Sequence, residues 1–487
     1  MLLEHTLQAE LGERALNRAQ VLGADYADIR IVHRQYETVG TKDGKPDGLS
    51  RDESLGFGVR VLVDGSWGFA SSSKVTEAEI ERVAELAVVI AKASRTNQRE
   101  RVGLGKPGKV VGTYVTPVLE DPFRVPVEEK LATLLAAEAE MRAVPGVRST
   151  NGTIGCQREH KLYLSTEGSR IEQTLIETGC GIEALAVGDT EIQTRSYPNS
   201  FGRQQVTQGY EMVRAVNLPA NARRIAEEAV ALLSADQCPS KVTTLILDPT
   251  QLALQVHESI GHAIELDRVF GYEAAFAGTS FLNPGMRDTF TYGSDIVNVT
   301  ADATLPGGLG TFGWDDEGTP AQRVPIIEQG QFKGFLSCRE TASKLGMESA
   351  GMARADGWNR IPMVRMTNVS LEPGTWTFDQ MVKDTEDGIY MMTNRSWSID
   401  DKRLNFQFGC QIAWEIKDGE LGRLLRNPTY TGITPQFWAG CDAIADRDHW
   451  QIWGTPNCGK GQPLQVAHVG HGASPARFRN VQVGVLS

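Results

Sequence analysis

Residues 248–262 have the sequence DPTQLALQVHESIGH, which is typical of a capped helix. Asp248 is suited to the N-cap, and Pro249 is suited to the first helical position. The apolar residues that recur after them predict that the helix is embedded in a core. The end of this helix carries two histidines and a glutamate, which are the residue types of a zinc hydrolase.

The two histidines, His257 and His262, are five residues apart, whereas the usual zincin motif places them four apart on one helical face. On an ideal α-helix, five residues turn the second side chain roughly 140° away from the first. A single π-turn would bring both side chains together, and Gly261 is where the backbone can most easily change. The sequence therefore predicts a bulge or break near Gly261 if both histidines bind one metal. Glu258 is a poor ligand candidate, because its side chain and that of its neighbour His257 point in different directions on a helix.

A third protein ligand is needed for zinc, and the best candidate is Cys458. It lies in residues 453–463, WGTPNCGKGQP, where glycine and proline predict a tight loop rather than a strand interior. Lys460 would help to hold the cysteine as a thiolate. The other six cysteines form no C-x-x-C pair, which argues against a zinc ribbon or a thioredoxin-like site. Taken alone, the histidines could be hydrogen-bonded core residues and Cys458 a small buried hydrophobe.

Several further segments occur together in one known family. They are Ala24-Asp25-Tyr26-Ala27-Asp28, Phe57-Gly58-Val59-Arg60, Trp67-Gly68-Phe69-Ala70, Asp315-Asp316-Glu317-Gly318, residues 394–400 (NRSWSID), residues 404–409 (LNFQFG), residues 458–463 (CGKGQP), Val469-Gly470-His471-Gly472 and Arg477-Phe478-Arg479-Asn480. With the histidine segment, they make the chain resemble the TldD branch of the TldD/PmbA (TldE) metallopeptidase family. The resemblance runs from about residue 20 to the C-terminus.

The resemblance implies a zinc peptidase in which His257, His262 and Cys458 bind the metal and Glu258 acts as general base. The PmbA/TldE branch is similar in fold but lacks these residues, so the chain resembles the catalytic kind of subunit. The resemblance also implies a dimer that encloses the active site and accepts unfolded or extended peptides. The second subunit would be either another copy of the chain or a PmbA/TldE-like chain.

Two functions are considered for this sequence. The first is a zinc-dependent peptidase, and the second is a non-catalytic peptide-binding or scaffold subunit of a dimeric assembly. In the first, a donor is needed for the oxyanion that develops on the peptide carbonyl. The sequence offers His468, His471, Arg477 and the backbone amides of the glycine-rich tail, without a choice among them.

The whole-chain properties fit a water-soluble enzyme. The formal net charge is −12 and no basic run or stripe is present, so no nucleic-acid partner is expected. No run of about 18 apolar residues is present, and the N-terminal segment Met1–Gln20 has the pattern of a helix rather than a signal peptide, so no membrane span is expected. Seven cysteines, an odd number without paired spacing, favour a reducing cytoplasmic location.

The predicted fold class is α+β, with two domains in the 487 residues. Residues 1–238 would form an N-terminal α/β domain, with a linker near residues 95–126 that could divide it into two subdomains. Residues 239–487 would form a β-rich C-terminal metallopeptidase domain that carries the zinc-binding helix. The patterns further predict hairpins over residues 57–70 and 161–177, helices over residues 127–141 and 221–233, and a strand over residues 242–247.

Overall fold

The computed structural model describes residues 5–98, 100–105, 108–200 and 203–484. The predicted α+β class is confirmed, since helices and long strands alternate in the first half and strands dominate the second. The α-helices are α1 His5–Val21, α2 Glu77–Ser94, α3 Val127–Arg142, α4 Glu211–Val216, α5 Leu218–Leu232, α6 Pro249–Val256, α7 Leu266–Val269, α8 Arg339–Ser343, α9 Phe378–Lys383 and α10 Thr434–Ala439. No helix among the described residues is both long and apolar enough to cross a bilayer.

The strands of the first half are β1 Tyr26–Lys42, β2 Lys45–Val63, β3 Ser66–Ser72, β4 Val111–Val115, β5 Val147–Ser165, β6 Arg170–Val187, β7 Ile192–Tyr197 and β8 Gln204–Val206. They form one sheet in the order β3-β2-β1-β5-β6-β4, and β7 and β8 also pair with β6. The apolar faces of α1 and α2 pack on one end of the sheet, and those of α3 and α5 pack on the other end. Both predicted hairpins are confirmed, although their strands extend well beyond the predicted bounds.

The strands of the second half are β9 Asp236–Gln237, β10 Lys241–Leu247, β11 Val299–Asp302, β12 Arg323–Glu328, β13 Gln331–Phe332, β14 Ala353–Arg354, β15 Met363–Val364, β16 Val369–Leu371, β17 Asp387–Ile399, β18 Asn405–Lys417, β19 Glu420–Arg426, β20 Thr429–Ile433, β21 Cys441–Ile444, β22 Gln451–Lys460, β23 Gln465–Ala473 and β24 Ala476–Val483. Five of them, β17, β10, β24, β20 and β18, pair in sequence, and β17 also pairs with β18. The pairing therefore closes a ring, and α6 packs against it within the largest apolar cluster.

The sheet of the first half joins the second half through a polar interface. Glu317 accepts a hydrogen bond from the buried guanidinium of Arg60 at 2.9 Å, and its backbone carbonyl accepts one from the hydroxyl of Tyr163 at 3.0 Å. Next to it, Asp316 lies 2.7 Å from the ammonium group of Lys161. The Asp315-Asp316-Glu317-Gly318 segment therefore joins the two halves of the chain.

Several sequence predictions need correction or a limit. The helices predicted over residues 127–141 and 221–233 are present, but residues 95–126 are not all loop. Residues 95–126 contain β4, which pairs in parallel with β6. The β-branched residues Val111 and Val115 favour a strand conformation there. The first four residues of the predicted N-terminal helix lie outside the described residues. The domain boundary at residues 238 and 239 stays a proposal, and it falls between β9 and β10.

Candidate metal centre

The helix that carries the histidines is fixed at its start by Asp248. The Asp248 side chain accepts a hydrogen bond from the backbone amide of Thr250 at 2.9 Å and another from the hydroxyl of Tyr390 at 2.6 Å. The strand β10 therefore delivers the chain into α6 with a filled N-cap, and Pro249 occupies the first turn as predicted. This cap fixes the start of the helix that leads to the two histidines.

A π-turn at His257–Gly261 follows α6 directly. The backbone amide of His262 donates to the carbonyl of His257 at 3.1 Å, five residues earlier instead of four. The extra residue returns the second histidine to the face of the first, so the two ring centroids lie 4.8 Å apart. The predicted bulge at Gly261 is confirmed, and it resolves the five-residue spacing.

Cys458 completes a buried cluster with the two histidines. Its sulfur lies 3.6 Å from Nε2 of His262, and the ligand atoms of all three residues lie within 4.8 Å of one another. The prediction of a tight loop at Cys458 is wrong, because Cys458 pairs with Ala467 in the hairpin of β22 and β23. The irregularity instead lies between Thr455 and Cys458, where Pro456 has no amide to offer the ladder.

The tautomer of His257 follows from a chain of hydrogen bonds behind it. Nδ1 of the buried His471 lies 2.9 Å from the carbonyl oxygen of Val369, so that nitrogen carries the proton and donates. The other ring nitrogen of His471 is then an acceptor, and it lies 2.7 Å from Nδ1 of His257. Nδ1 of His257 donates to it, which leaves Nε2 of His257 with a free lone pair for a metal.

His262 is fixed by a carboxylate in the same way. Nδ1 of His262 donates to Glu265 at 2.9 Å, so its Nε2 lone pair is directed toward the sulfur of Cys458. Glu265 is fully buried, and burial raises its pKa, but the charge of Lys460 and the contact with His262 hold that pKa well below its usual range. A carboxylate behind a ligating imidazole is the usual supporting arrangement in zinc proteins.

The electrostatics of the cluster favour the forms that bind metal. Burial lowers the pKa values of His257 and His262, which keeps both imidazoles neutral at pH 7. Burial raises the pKa of Cys458, but the contact with His262 and the charge of Arg365 outweigh it and lower that pKa overall. The prediction that Lys460 activates the cysteine is wrong, since the Lys460 ammonium group donates to Asp267 at 2.7 Å and to a backbone carbonyl.

Glu258 lies beside the cluster and is held by a residue that sequence reasoning missed. Nη1 of Arg403 donates to a carboxylate oxygen of Glu258 at 2.8 Å. Arg403 lies between β17 and β18 with a φ of 64°, in a turn whose Asp400 side chain accepts from the backbone amides of Leu404 and Asn405. The only indication of Arg403 in the sequence is its position between two segments that carry the family resemblance.

The cluster opens on one side into a cavity of about 470 Å³, here called the metal cavity. His257, His262, Cys458 and Glu258 all line it. Its other lining residues are Asn199, Ser200, Arg203, Thr250, Ala253, Leu254, Asn394, Trp397, Arg403, Trp453, Gly454, Thr455, Pro456, Asn457 and Gly459. The cavity is large enough for part of a peptide, within the roughly 300–1,000 Å³ of ordinary ligand sites.

The three side chains considered as oxyanion donors lie elsewhere. His471 is buried behind His257, and both of its ring nitrogens are already hydrogen-bonded. His468 lies 2.6 Å from Glu177 in a different cavity, and Arg477 pairs with Asp442 at 2.8 Å. None of the three lines the metal cavity, so these candidates are wrong.

Family models match most of the chain. The PmbA/TldA metallopeptidase domain 1 matches residues 27–91, the central domain matches residues 120–234, and the C-terminal domain matches residues 240–485. The chain belongs to the PmbA/TldD family of metallopeptidases. The resemblance seen in the sequence is therefore confirmed, and the matched C-terminal domain contains all four residues predicted for the site.

Relatives within the PmbA/TldD family are named as proteases. A metalloprotease of Methanocaldococcus jannaschii is 32% identical over 448 residues, which cover 92% of this chain and 95% of that protein. A zinc metalloprotease TldD homolog of Saccharolobus solfataricus is 24% identical over 476 residues, covering 96% of this chain and 98% of that one. The crystal structure of TldE from Thermococcus kodakarensis shares the fold, with a TM-score of 0.74, 16% identity and coverage of 98% and 100%.

The first prediction concerns the π-turn. A Cβ atom at Gly261 would overlap the sulfur of the buried Met366, so we expect Gly261→Ala to lower the free energy of unfolding by about 1–3 kcal/mol. Gly48→Ala is the matched control, because Gly48 lies in the exposed first half of β2 with open space at its Cβ position. Urea unfolding measures both variants. Equal stability of the two would contradict the close contact at the π-turn.

The second prediction concerns the histidine behind His257. We expect His471→Phe to weaken metal binding by about 10–100-fold, because the ring shape remains but the acceptor for Nδ1 of His257 is lost. His449→Phe provides a control, since His449 lies on a 3₁₀ turn and contacts Asp446 instead. Competition with a zinc chelator measures the affinity. An unchanged affinity in His471→Phe would show that this hydrogen bond does not orient the ligand.

Proposed function

We propose that this chain is a zinc-dependent peptidase that hydrolyses peptide bonds of unfolded or extended peptides, with Glu258 as its general base. One observation carries the proposal: two imidazoles and a cysteine converge within 4.8 Å, and Glu258 lines the same cavity. Membership of a metallopeptidase family and the names of the relatives agree with this reaction.

The donor set of the cluster favours zinc over other metals. Imidazole nitrogen and thiolate sulfur together suit zinc, whereas magnesium and calcium select oxygen ligands. Three protein donors are also the number found in catalytic zinc sites, where the remaining position is left for water or substrate. Zinc held by His257, His262 and Cys458 would lower the pKa of a water molecule to roughly 7 and polarise a peptide carbonyl.

Glu258 is the residue proposed to move the proton during hydrolysis. Its carboxylate would take a proton from the attacking water and pass it to the leaving amine. Arg403 donates to one carboxylate oxygen of Glu258, and its second amino group lies 3.3 Å from the carbonyl of Ala277. Because these two contacts fix the guanidinium, Arg403 acts as a positioning residue for the general base.

The shape of the metal cavity supports an extended substrate. One wall is the β22 segment Thr455–Gly459, where the irregularity takes Pro456 and Asn457 out of the ladder with β23. An extended peptide could pair its main chain with this segment and place a carbonyl beside the cluster. Main-chain pairing gives little side-chain selection, so broad sequence tolerance belongs to the proposal.

The proposed assembly is a dimer, formed with a PmbA/TldE-like chain or with a second copy of this chain. The family includes chains of the TldE type that share this fold. A dimer that encloses the metal cavity would exclude folded proteins and admit flexible segments. The alternative function, a non-catalytic scaffold subunit, gives no role to the fixed tautomers of His257 and His262 or to the Arg403–Glu258 pair.

The third prediction concerns the thiolate ligand. We expect Cys458→Ala and Cys458→Ser each to lose most bound zinc. Only two protein ligands would remain in the alanine variant, and a serine hydroxyl binds zinc far more weakly than a thiolate does. Cys180→Ala is the control, since Cys180 is buried in the first half beside Met212. Elemental analysis after purification gives zinc per chain. Full occupancy in Cys458→Ala would remove that residue from the site.

The fourth prediction concerns the base. Glu258→Gln should retain zinc and fold but lose cleavage of an unfolded peptide by about 100-fold or more, as loss of a general base usually costs. Glu415→Gln is the control, because Glu415 of β18 pairs with the exposed Arg423 of β19 and does not line the metal cavity. Cleavage at the parental rate in Glu258→Gln would refute the mechanism. Absence of cleavage by the parental zinc-loaded dimer would favour the scaffold function.

A further inference from the structure

A second cavity, of about 250 Å³, lies between the sheet of the first half and the second half of the chain. We call it the interdomain cavity. Its walls include Glu159, Lys161 and Glu177 from the sheet, and Phe312, Arg354 and Arg365 from the other side. Its volume is below the roughly 300–1,000 Å³ of sites for drug-sized ligands, so an occupant would have to be small.

Two arginines face this cavity from one side of a short hairpin. Arg354 ends β14 and Arg365 follows β15, and these two strands pair with Arg354 opposite Met363. The backbone amide of Arg365 donates to the carbonyl of Met352 at 2.9 Å, which extends the same register by one pair. Arg354 and Arg365 are therefore diagonal neighbours on one face of the hairpin, where long side chains come within reach of each other.

Neither of these two guanidinium groups forms an ion pair with a carboxylate of the described residues. Arg354 donates instead to the carbonyls of Met366 at 2.8 Å and His468 at 2.7 Å. Arg365, which is 1% exposed, donates to the carbonyls of Gln465 and Cys458, and its Nε is buried without a hydrogen-bond partner. Burial, and after it the charge of Arg365, lowers the pKa of Arg354. Arg365 is buried and Arg354 is partly buried, and neither has a direct ion-pair partner, so an anion between them would offset the repulsion of the two like charges.

The other cations of the interdomain cavity are neutralised, so the arginine pair is an exception there. Lys161 contacts Glu159 at 3.2 Å and Asp316 at 2.7 Å. Arg34 contacts the same Glu159 and also Asp356. The unpaired positive charge of the cavity is therefore concentrated at the hairpin of β14 and β15.

The carboxylate of Glu177 lines the same cavity and would favour a positively charged group of a ligand. Its Oε2 accepts from Nε2 of Gln205 at 2.8 Å and lies 2.6 Å from Nδ1 of His468. Its Oε1 has no hydrogen-bond partner among the described residues, so it can accept from a ligand. The carboxylates of Glu159 and Asp316 also line the cavity, and they would repel a dianion such as phosphate. A small molecule with one carboxylate and one ammonium group fits both ends.

We propose that the interdomain cavity binds a free α-amino acid or a dipeptide, with its carboxylate on Arg354 and Arg365 and its ammonium group on Glu177. Charge-assisted hydrogen bonds from two guanidinium groups recognise a carboxylate strongly and with defined geometry. The site is separate from the metal cavity, although Arg365 also donates to the backbone carbonyl of the metal-ligand candidate Cys458. The proposal does not depend on the peptidase reaction.

Isothermal titration calorimetry of the zinc-loaded protein tests the site, with L-leucine and glycylglycine as probes. We expect at least one of them to bind, and N-acetyl-L-leucine and L-leucinamide to bind at least about tenfold more weakly than leucine, because each lacks one charge. Arg354→Met should weaken binding by at least about tenfold, and Arg354→Lys should recover part of it. Arg403→Met is the matched control, since Arg403 lines the metal cavity instead.

Three results would overturn the proposal. The first is the absence of binding of both probes at millimolar concentration. The second is equal binding of the charge-blocked analogues or of inorganic phosphate. The third is loss of binding in Arg403→Met with full binding in Arg354→Met, which would place the ligand in the metal cavity. If Arg354→Met does not fold, Glu177→Gln replaces it: leucine should bind more weakly to this variant, whereas N-acetyl-L-leucine should not.

Discussion

One backbone hydrogen bond, from the amide of His262 to the carbonyl of His257, determines the geometry of the candidate metal centre. The wider turn that it closes contains one extra residue, so both imidazoles face the same side while α6 stays in the core. The rear of the helix is anchored independently. There, Tyr430 and Trp438 hydrogen-bond to helix side chains, with Nε1 of Trp438 donating to Ser259 at 2.9 Å. The π-turn is therefore supported from behind by buried hydrogen bonds.

Each of the three candidate ligands is supported by a different kind of group. An imidazole supports His257, a carboxylate supports His262, and a guanidinium holds the backbone of Cys458. These supporting groups are buried, so their orientations are fixed by packing as well as by hydrogen bonds. A donor set held in this way is already arranged for a metal, which reduces the cost of ordering ligands on binding.

Features set by local rules could be predicted from the sequence. The cap at Asp248 and the bulge at Gly261 follow from residue preferences and helix geometry, and both are present. Two long-range contacts could not be predicted, because His471 meets His257 across 214 positions and Arg403 meets Glu258 across 145. The strand at Cys458 was missed since proline and glycine usually indicate a loop, and only the partner strand β23 shows that this segment continues a hairpin.

The sequence separation between His262 and Cys458 has a consequence for folding. The two residues are 196 positions apart, and a metal held by both would close a chain loop of that length. A cross-link over such a distance lowers the entropy of the unfolded chain by an amount equivalent to about 5 kcal/mol at 25 °C. The ion would thus cross-link the histidine helix to the C-terminal hairpin. Its loss would destabilise both elements together, so the free energy of unfolding would depend on the concentration of free metal.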